Sequence, residues 1–169
     1  ETVADGAVHA AGLLLAVPCC ALLLQSLDTS SGVWMATAVY VCTLLFALLA
    51  SAIYHLLPYD GYRATLGRID HASIYFKIAG SYTPLVILMG SGFAYGVLGI
   101  VWALAVLGAV AKLLFWRTDA KGSLALYLGM GWLSVWLIWP MWQVLPGMAL
   151  FLSIGGGVVY SAGTLIYSH

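Results

Sequence analysis

Six runs of about twenty or more mostly apolar residues, separated by short polar connections, constrain this chain more than any other feature. They are Ala7–Leu27, Val33–Leu57, Ile69–Met89, Phe93–Phe115, Gly122–Trp142 and Pro146–Tyr167. A bilayer-spanning helix needs about 20 such residues. Barrel strands are excluded, because they alternate polar and apolar positions over about ten residues. In lipid a helix satisfies its backbone hydrogen bonds within the segment. Composition agrees: 63% of the 169 residues are hydrophobic and 7% are charged. A soluble domain has about 25% charged residues, and a nucleic-acid binder needs a basic surface to neutralise phosphates. The formal net charge here is zero. The expected fold is an all-α polytopic membrane protein, one transmembrane domain over residues 1–169, with six spanning helices. No nucleic-acid partner is expected, and no internal repeat of the inverted-transporter kind is visible.

The first run does not read as a signal peptide: Glu1 and Asp5 make its flank acidic, and no small-residue cleavage site follows it. The missing initiator Met suggests a trimmed chain with residues lost before Glu1.

Orientation follows from the basic residues. Arg63, Arg68, Lys112, Arg117 and Lys121 lie in or beside two connections, whereas those around Asp28, Ser91 and Leu145 carry no Lys or Arg. The positive-inside rule places the amino terminus, both basic loops and His169 in the cytoplasm. Trp34, Trp139 and Trp142 then mark the outer interface and Trp116 the inner one.

The polar residues are distributed unevenly. Glu1, Asp5 and His9 recur every four residues, on one face of the first helix. Ser51 and His55 share a face near the end of the second helix. Asp70 and His71 open the third, and His169 closes the sixth. All four histidines thus gather toward one membrane face. Ionisable groups in spans are costly and mark functional candidates. Imidazole and carboxylate suit zinc, yet neither HExxH nor CxxC is present, so solvated interfacial polar groups are the competing reading. Lys77 lies two turns beyond Asp70, suited to an acidic group or to snorkelling, and Lys112 reads as snorkelling. Pro18, Pro84 and Pro140 predict bends. Gly155, Gly156 and Gly157 predict a close helix approach. Cys19, Cys20 and Cys42 have no metal-ligand spacing.

Three pieces of the sequence carry a resemblance. They are Glu1-x3-Asp5-x3-His9-x2-Gly12, then Ser51-Ala-Ile-Tyr-His55, then Arg68-Ile-Asp70-His71 followed by Ala79-Gly-Ser-Tyr-Thr-Pro84. Together they resemble the hemolysin III family, the bacterial branch of the progestin and adipoQ receptor superfamily. The resemblance implies a seven-helix bundle similar to metal-dependent membrane hydrolases. It implies His55 as a zinc ligand and Asp70 as a base or positioning group acting through water. Ser51 would orient that water or a substrate carbonyl. The family's other two zinc ligands lie on a seventh helix, absent from this sequence, so zinc is expected in the full-length form and doubtful in this chain. His9, His71 and Glu1 are the only nearby substitutes.

Three functions follow as expectations. The first is zinc-dependent hydrolysis of a lipid amide or ester, with membrane lipid as partner. The second is a non-enzymatic sensor or regulator of membrane lipid state. The third is a pore-forming cytolysin, which the scarcity of intramembrane charge disfavours.

Overall fold

The computed structural model describes residues 2–57, 60–115 and 120–167, and side chains over 6–57, 61–115 and 122–163. Its elements are α1 (Thr2–Gln25), α2 (Gly32–Leu56), a 3₁₀ turn at Asp60–Tyr62, α3 (Arg63–Met89), α4 (Gly92–Leu114) and α5 (Ala120–Trp132). A 3₁₀ stretch (Leu133–Leu137), α6 (Ile138–Val144) and α7 (Gly147–Tyr167) complete the chain. α5, the 3₁₀ stretch and α6 run on as one span. Five segments are long and apolar enough to cross a membrane, and α7 is apolar over Gly147–Gly163. The described residues contain no strand. The protein is therefore an all-α polytopic membrane protein.

The connections are short because polar side chains close the helix ends. At the α1–α2 turn the Asp28 carboxylate accepts from the Ser30 backbone N–H at 3.0 Å and hydroxyl at 2.9 Å. Those two donors hold the exposed Asp28 carboxyl below its ordinary range. The Ser31 hydroxyl donates to the Asp28 carbonyl at 2.7 Å and accepts from the Trp34 N–H at 3.1 Å, capping α2. Between α3 and α4 the turn is Gly90 and Ser91 alone. Gly90 has φ +60°, where a β-carbon is disfavoured, and Ser91 caps α4 through the Ala94 N–H at 3.2 Å.

α3 begins at Arg63, six residues before the predicted start at Ile69. Hydropathy detects the lipid-soluble part of a helix, and this helix continues past it through Arg63–Arg68.

Packing centres on α3, which lies against α2, α4 and the α5–α6 span, whereas α1 packs chiefly on α2. The buried faces are built from small residues: Ala36, Ala47 and Ala50 on α2, Ala72 and Ala79 on α3, Ala94, Ala105 and Ala109 on α4. Small side chains let helix backbones approach where no aqueous hydrophobic effect drives them together. Two glycines set the closest approaches. A β-carbon on Gly80 would fall 1.9 Å from Thr43 Oγ1 and 2.9 Å from Thr43 Cβ. One on Gly108 would fall 2.7 Å from the Tyr75 ring. Gly155, Gly156 and Gly157, predicted to admit a neighbour, instead face open space: a β-carbon there meets nothing within 4 Å among the described residues.

Lys112 does not snorkel. It is 7% exposed, and its ammonium donates to the Ser123 hydroxyl at 3.1 Å, joining α4 to α5. A hydroxyl on the facing helix offers an acceptor that lipid does not.

The fifth span tightens to 3₁₀ geometry just before Pro140. Pro140 has no N–H and its ring crowds the carbonyl one turn earlier, which is where the Leu133–Leu137 3₁₀ stretch ends. The carbonyls of Met130 and Gly131 share the Tyr82 hydroxyl proton, at 2.7 and 2.9 Å. Trp132, Trp136 and Trp139 point outward, exposed.

Candidate functional site

α1 and α2 run antiparallel. Gly6 lies against Leu56 at 3.6 Å and Gly12 against Leu48 at 3.8 Å, measured from the β-carbon position. That register carries His9 to the last two turns of α2, where the four-residue spacing of Ser51 and His55 turns both side chains toward α1. His9 Nε2 and Ser51 Oγ are 3.0 Å apart, a hydrogen bond between half-buried groups. The His9 and His55 rings lie 5.3 Å apart, centre to centre, at 31°. Behind His55 the Tyr54 ring stands edge-on at 4.8 Å, and the Arg63 guanidinium lies 5.6 Å from the Tyr54 ring centre. An unbroken line of contacts thus runs Ser51–His9–His55–Tyr54–Arg63 at the end of the bundle that carries the Arg63 turn. His55 is exposed.

Asp70 lies on α3 at a comparable depth. The close approaches of Gly32 to Ile87 and of Gly80 to Thr43 set the α2–α3 register, and continuing it brings Asp70 level with Ser51 and Ile53. Asp70 is half-buried. The Asp70 carbonyl accepts from the Ser73 hydroxyl at 2.5 Å. His71 turns back on its own helix, its Nδ1 2.7 Å from the Gly67 carbonyl, and the His71 carbonyl accepts from the Tyr127 hydroxyl at 2.8 Å. Lys77 is exposed. Glu1, Trp116, Arg117, His169 and the side chains of Asp5, Asp60 and Lys121 lie outside what is described.

Two of the residues singled out in the sequence, Ser51 and His55, are therefore brought together, and His9 joins them. Ser51 bonds across to α1 rather than back to its own turn. The sequence signal for His9 was its place in the opening motif. Its partner follows only once α1 is folded back over the Asp28–Ser31 turn in register.

This donor set fits a zinc ion in part. Two imidazoles on one tetrahedral zinc, with Zn–N bonds of about 2.0–2.1 Å, hold their ring centres about 5 Å apart, as His9 and His55 do. A catalytic zinc takes three protein ligands, and no group of three His, Cys, Asp or Glu suited to a metal forms among the described residues. Without a metal, the arrangement still pairs a hydroxyl with an imidazole at general-base distance.

A family model described as Haemolysin-III related matches residues 1–169. The chain is similar to Hemolysin-3 of Bacillus cereus, 32% identical over 171 residues that cover 99% of this chain and 78% of the relative. It is similar as well to the Hemolysin-3 homolog of Bacillus subtilis (strain 168), also 32% identical, over 99% of this chain and 80% of the relative. No solved structure matches the chain.

Proposed function

The chain belongs to the haemolysin III family, and from that premise we propose a membrane hydrolase acting on the ester or amide carbonyl of a lipid. The observation that carries this reading is the His9–Ser51 bond at 3.0 Å with the His55 ring against it. In a chain with 7% charged residues, three polar side chains from two helices converge at one depth near one end of the bundle. Polar groups cost free energy within a span and persist there where they bind or react. The orientation proposed from the basic residues puts this end on the cytoplasmic side of a bacterial inner membrane.

The reading divides the work among named side chains. Ser51 presents an oxygen to the carbonyl, and His9 exchanges a proton with that oxygen. Asp70, level with Ser51, acts as base toward water. Zinc enters the proposal through the family resemblance: His55 would hold it, with further ligands from outside the described residues. Bound there, it would supply Lewis-acid polarisation of the carbonyl.

The test is reconstitution of a form extended through the family's seventh helix in liposomes holding one O-acyl and one N-acyl lipid, with released fatty acid measured. Release from at least one, lost in His55→Ala, is expected. No release from either overturns the hydrolase reading. Metal analysis checks the zinc part: a form extended through the family's seventh helix should hold about one equivalent, lost in His55→Ala and kept in Asp70→Asn. Equal zinc in His55→Ala would remove His55 as a ligand.

A further inference from the structure

We infer that the end of the α3–α4–α5 seam nearest the Arg63 turn is a binding site for the phosphate of an anionic membrane phospholipid, with the Lys112 ammonium as its central contact and the Arg68 guanidinium beside it. The site is separate from the hydrolase reading: its central groups lie on α4 and α5, which contribute nothing to the His9, Ser51 and His55 cluster.

Lys112 is a buried cation with a neutral partner. It lies in the last turn of α4, two residues before Leu114, and is 7% exposed. Its ammonium donates to the Ser123 hydroxyl of α5 at 3.1 Å, and Ser123 is itself buried. An ammonium carries three N–H donors and a full charge. Ser123 takes one donor and none of the charge, and among the described residues no carboxylate pairs with Lys112. Taking an ammonium out of water is costly unless an opposite charge faces it. The carbonyl end of α4 supplies only about half an elementary charge. A ligand with a full negative charge and several acceptor oxygens fits the place.

Neighbouring residues shape it. Four residues before Lys112, the β-carbon position of Gly108 lies 2.7 Å from the Tyr75 ring. Four residues after Ser123, the Tyr127 ring stands 4.5 Å from that of Tyr75, centre to centre, and its hydroxyl donates to the His71 carbonyl at 2.8 Å. Both tyrosines are buried. This ring pair closes the seam one turn deeper, so a ligand reaches the ammonium from the helix ends. There Arg68 Nη1 donates to the Leu113 carbonyl at 3.4 Å, which brings a guanidinium from α3 to the residue next to Lys112.

Depth selects the ligand. Ser123 lies three residues after the start of α5 at Ala120, about 5 Å along the helix axis. The polar layer of a bilayer leaflet is about 5–8 Å thick, so the ammonium stands level with lipid phosphates rather than with acyl chains. A phosphate accepts from an ammonium as a point charge and from a guanidinium through directed N–H groups. Basic pockets between transmembrane helices hold anionic lipid head groups in this way. A zwitterionic lipid carries its own cation beside the phosphate and gains less.

The test uses a form extended through the family's seventh helix, delipidated in a neutral detergent and titrated with phosphatidylglycerol or phosphatidylcholine. Bound lipid is counted by native mass spectrometry. One phosphatidylglycerol should bind in preference to phosphatidylcholine. Diffuse attraction is worth about fivefold in affinity per basic residue, whereas loss of a buried charge partner costs about thirtyfold or more. Lys112→Met, which fills a similar volume, should therefore weaken phosphatidylglycerol about thirtyfold or more. Lys77→Met removes the same charge elsewhere on α3 and should cost about fivefold or less. Lys112→Arg keeps the charge and guards against a variant that misfolds: it should retain the preference for phosphatidylglycerol. Equal binding of the two lipids overturns the inference, as does an equal loss in Lys112→Met and Lys77→Met. Inorganic phosphate, titrated on the same sample, should bind far more weakly than phosphatidylglycerol. Phosphate held as tightly, and lost in Lys112→Met, would assign the site to a free anion and overturn the lipid as its ligand.

Discussion

The α2–α3–α4 core and the α1–α2 seam are built from the same apolar alphabet and hold together differently. In the core, alanines and glycines bring backbones close, to the point where a single β-carbon on Gly80 or Gly108 has no room. In the seam, α1 lies on α2 through glycines at ordinary van der Waals distance, and the specific contact is polar, His9 with Ser51. A region locked by shape resists change and carries no reactive groups at its closest contacts. A region held by a hydrogen bond sets a hydroxyl beside an imidazole. The division places the tightest packing in the three-helix core and the paired polar groups in the seam beside it.

The comparison breaks most visibly at Gly80. Gly80→Val should lower the unfolding midpoint in a denaturing-detergent titration by an amount worth about 1–3 kcal/mol, the usual cost of overpacking. Gly156→Ala should stay within about 0.5 kcal/mol, since nothing among the described residues faces it. Equal effects at both positions would dissolve the distinction between packed and open helix faces. Next in size is Tyr82→Phe, which strips the Met130 and Gly131 carbonyls of their donor and should cost about 1–3 kcal/mol in the same titration. In the seam, a double-mutant cycle of His9→Ala and Ser51→Ala should give a coupling of about 0.6 kcal/mol, typical of hydrogen bonds between membrane helices. Amide exchange should rise in α1 and hold steady in α3. Faster exchange in α3 would make the seam part of the core.

The smallest effect belongs to Asp28. Its carboxyl is held low by the Ser30 donors, so its contribution is present above the unfolded carboxylate range and disappears as pH falls through the lowered folded value. Asp28→Asn should flatten this shallow acid-side dependence, followed by unfolding at a series of acidic pH values, and leave neutral-pH behaviour almost unchanged.

How much of this was legible in the sequence depends on what lipid encodes. The spans were legible because a bilayer demands about twenty apolar residues, and α2, α4 and α7 fall within a residue or two of their predicted limits. The facing of each helix was not, because every face is apolar and the buried one differs by size rather than polarity. Gly80 and Gly108 look in sequence like Gly155–Gly157, yet among the described residues only the first two meet a neighbour. Lys112 read as an interfacial lysine because its acceptor, Ser123, is set by helix pairing. Pro140 announced a disturbance, but the 3₁₀ stretch lies before it, because the carbonyl that loses its partner is one turn earlier. In the site, Ser51 and His55 share a face by spacing alone. His9 needed the antiparallel register.

The Gly90–Ser91 turn has a consequence for how the chain enters the bilayer. α3 carries Arg68, Asp70 and Lys77 and is the least apolar of the five spans, whereas α4 is the most apolar. Two residues of connection leave no room for one helix to partition while the other waits in water. The transfer free energy that counts is that of the hairpin, and α4 draws α3 across with its ionisable residues aboard. The polar residues of α3 are in this sense ballast that its neighbour floats. Lengthening the turn would divide one insertion event into two, with α3 left to cross on its own hydropathy.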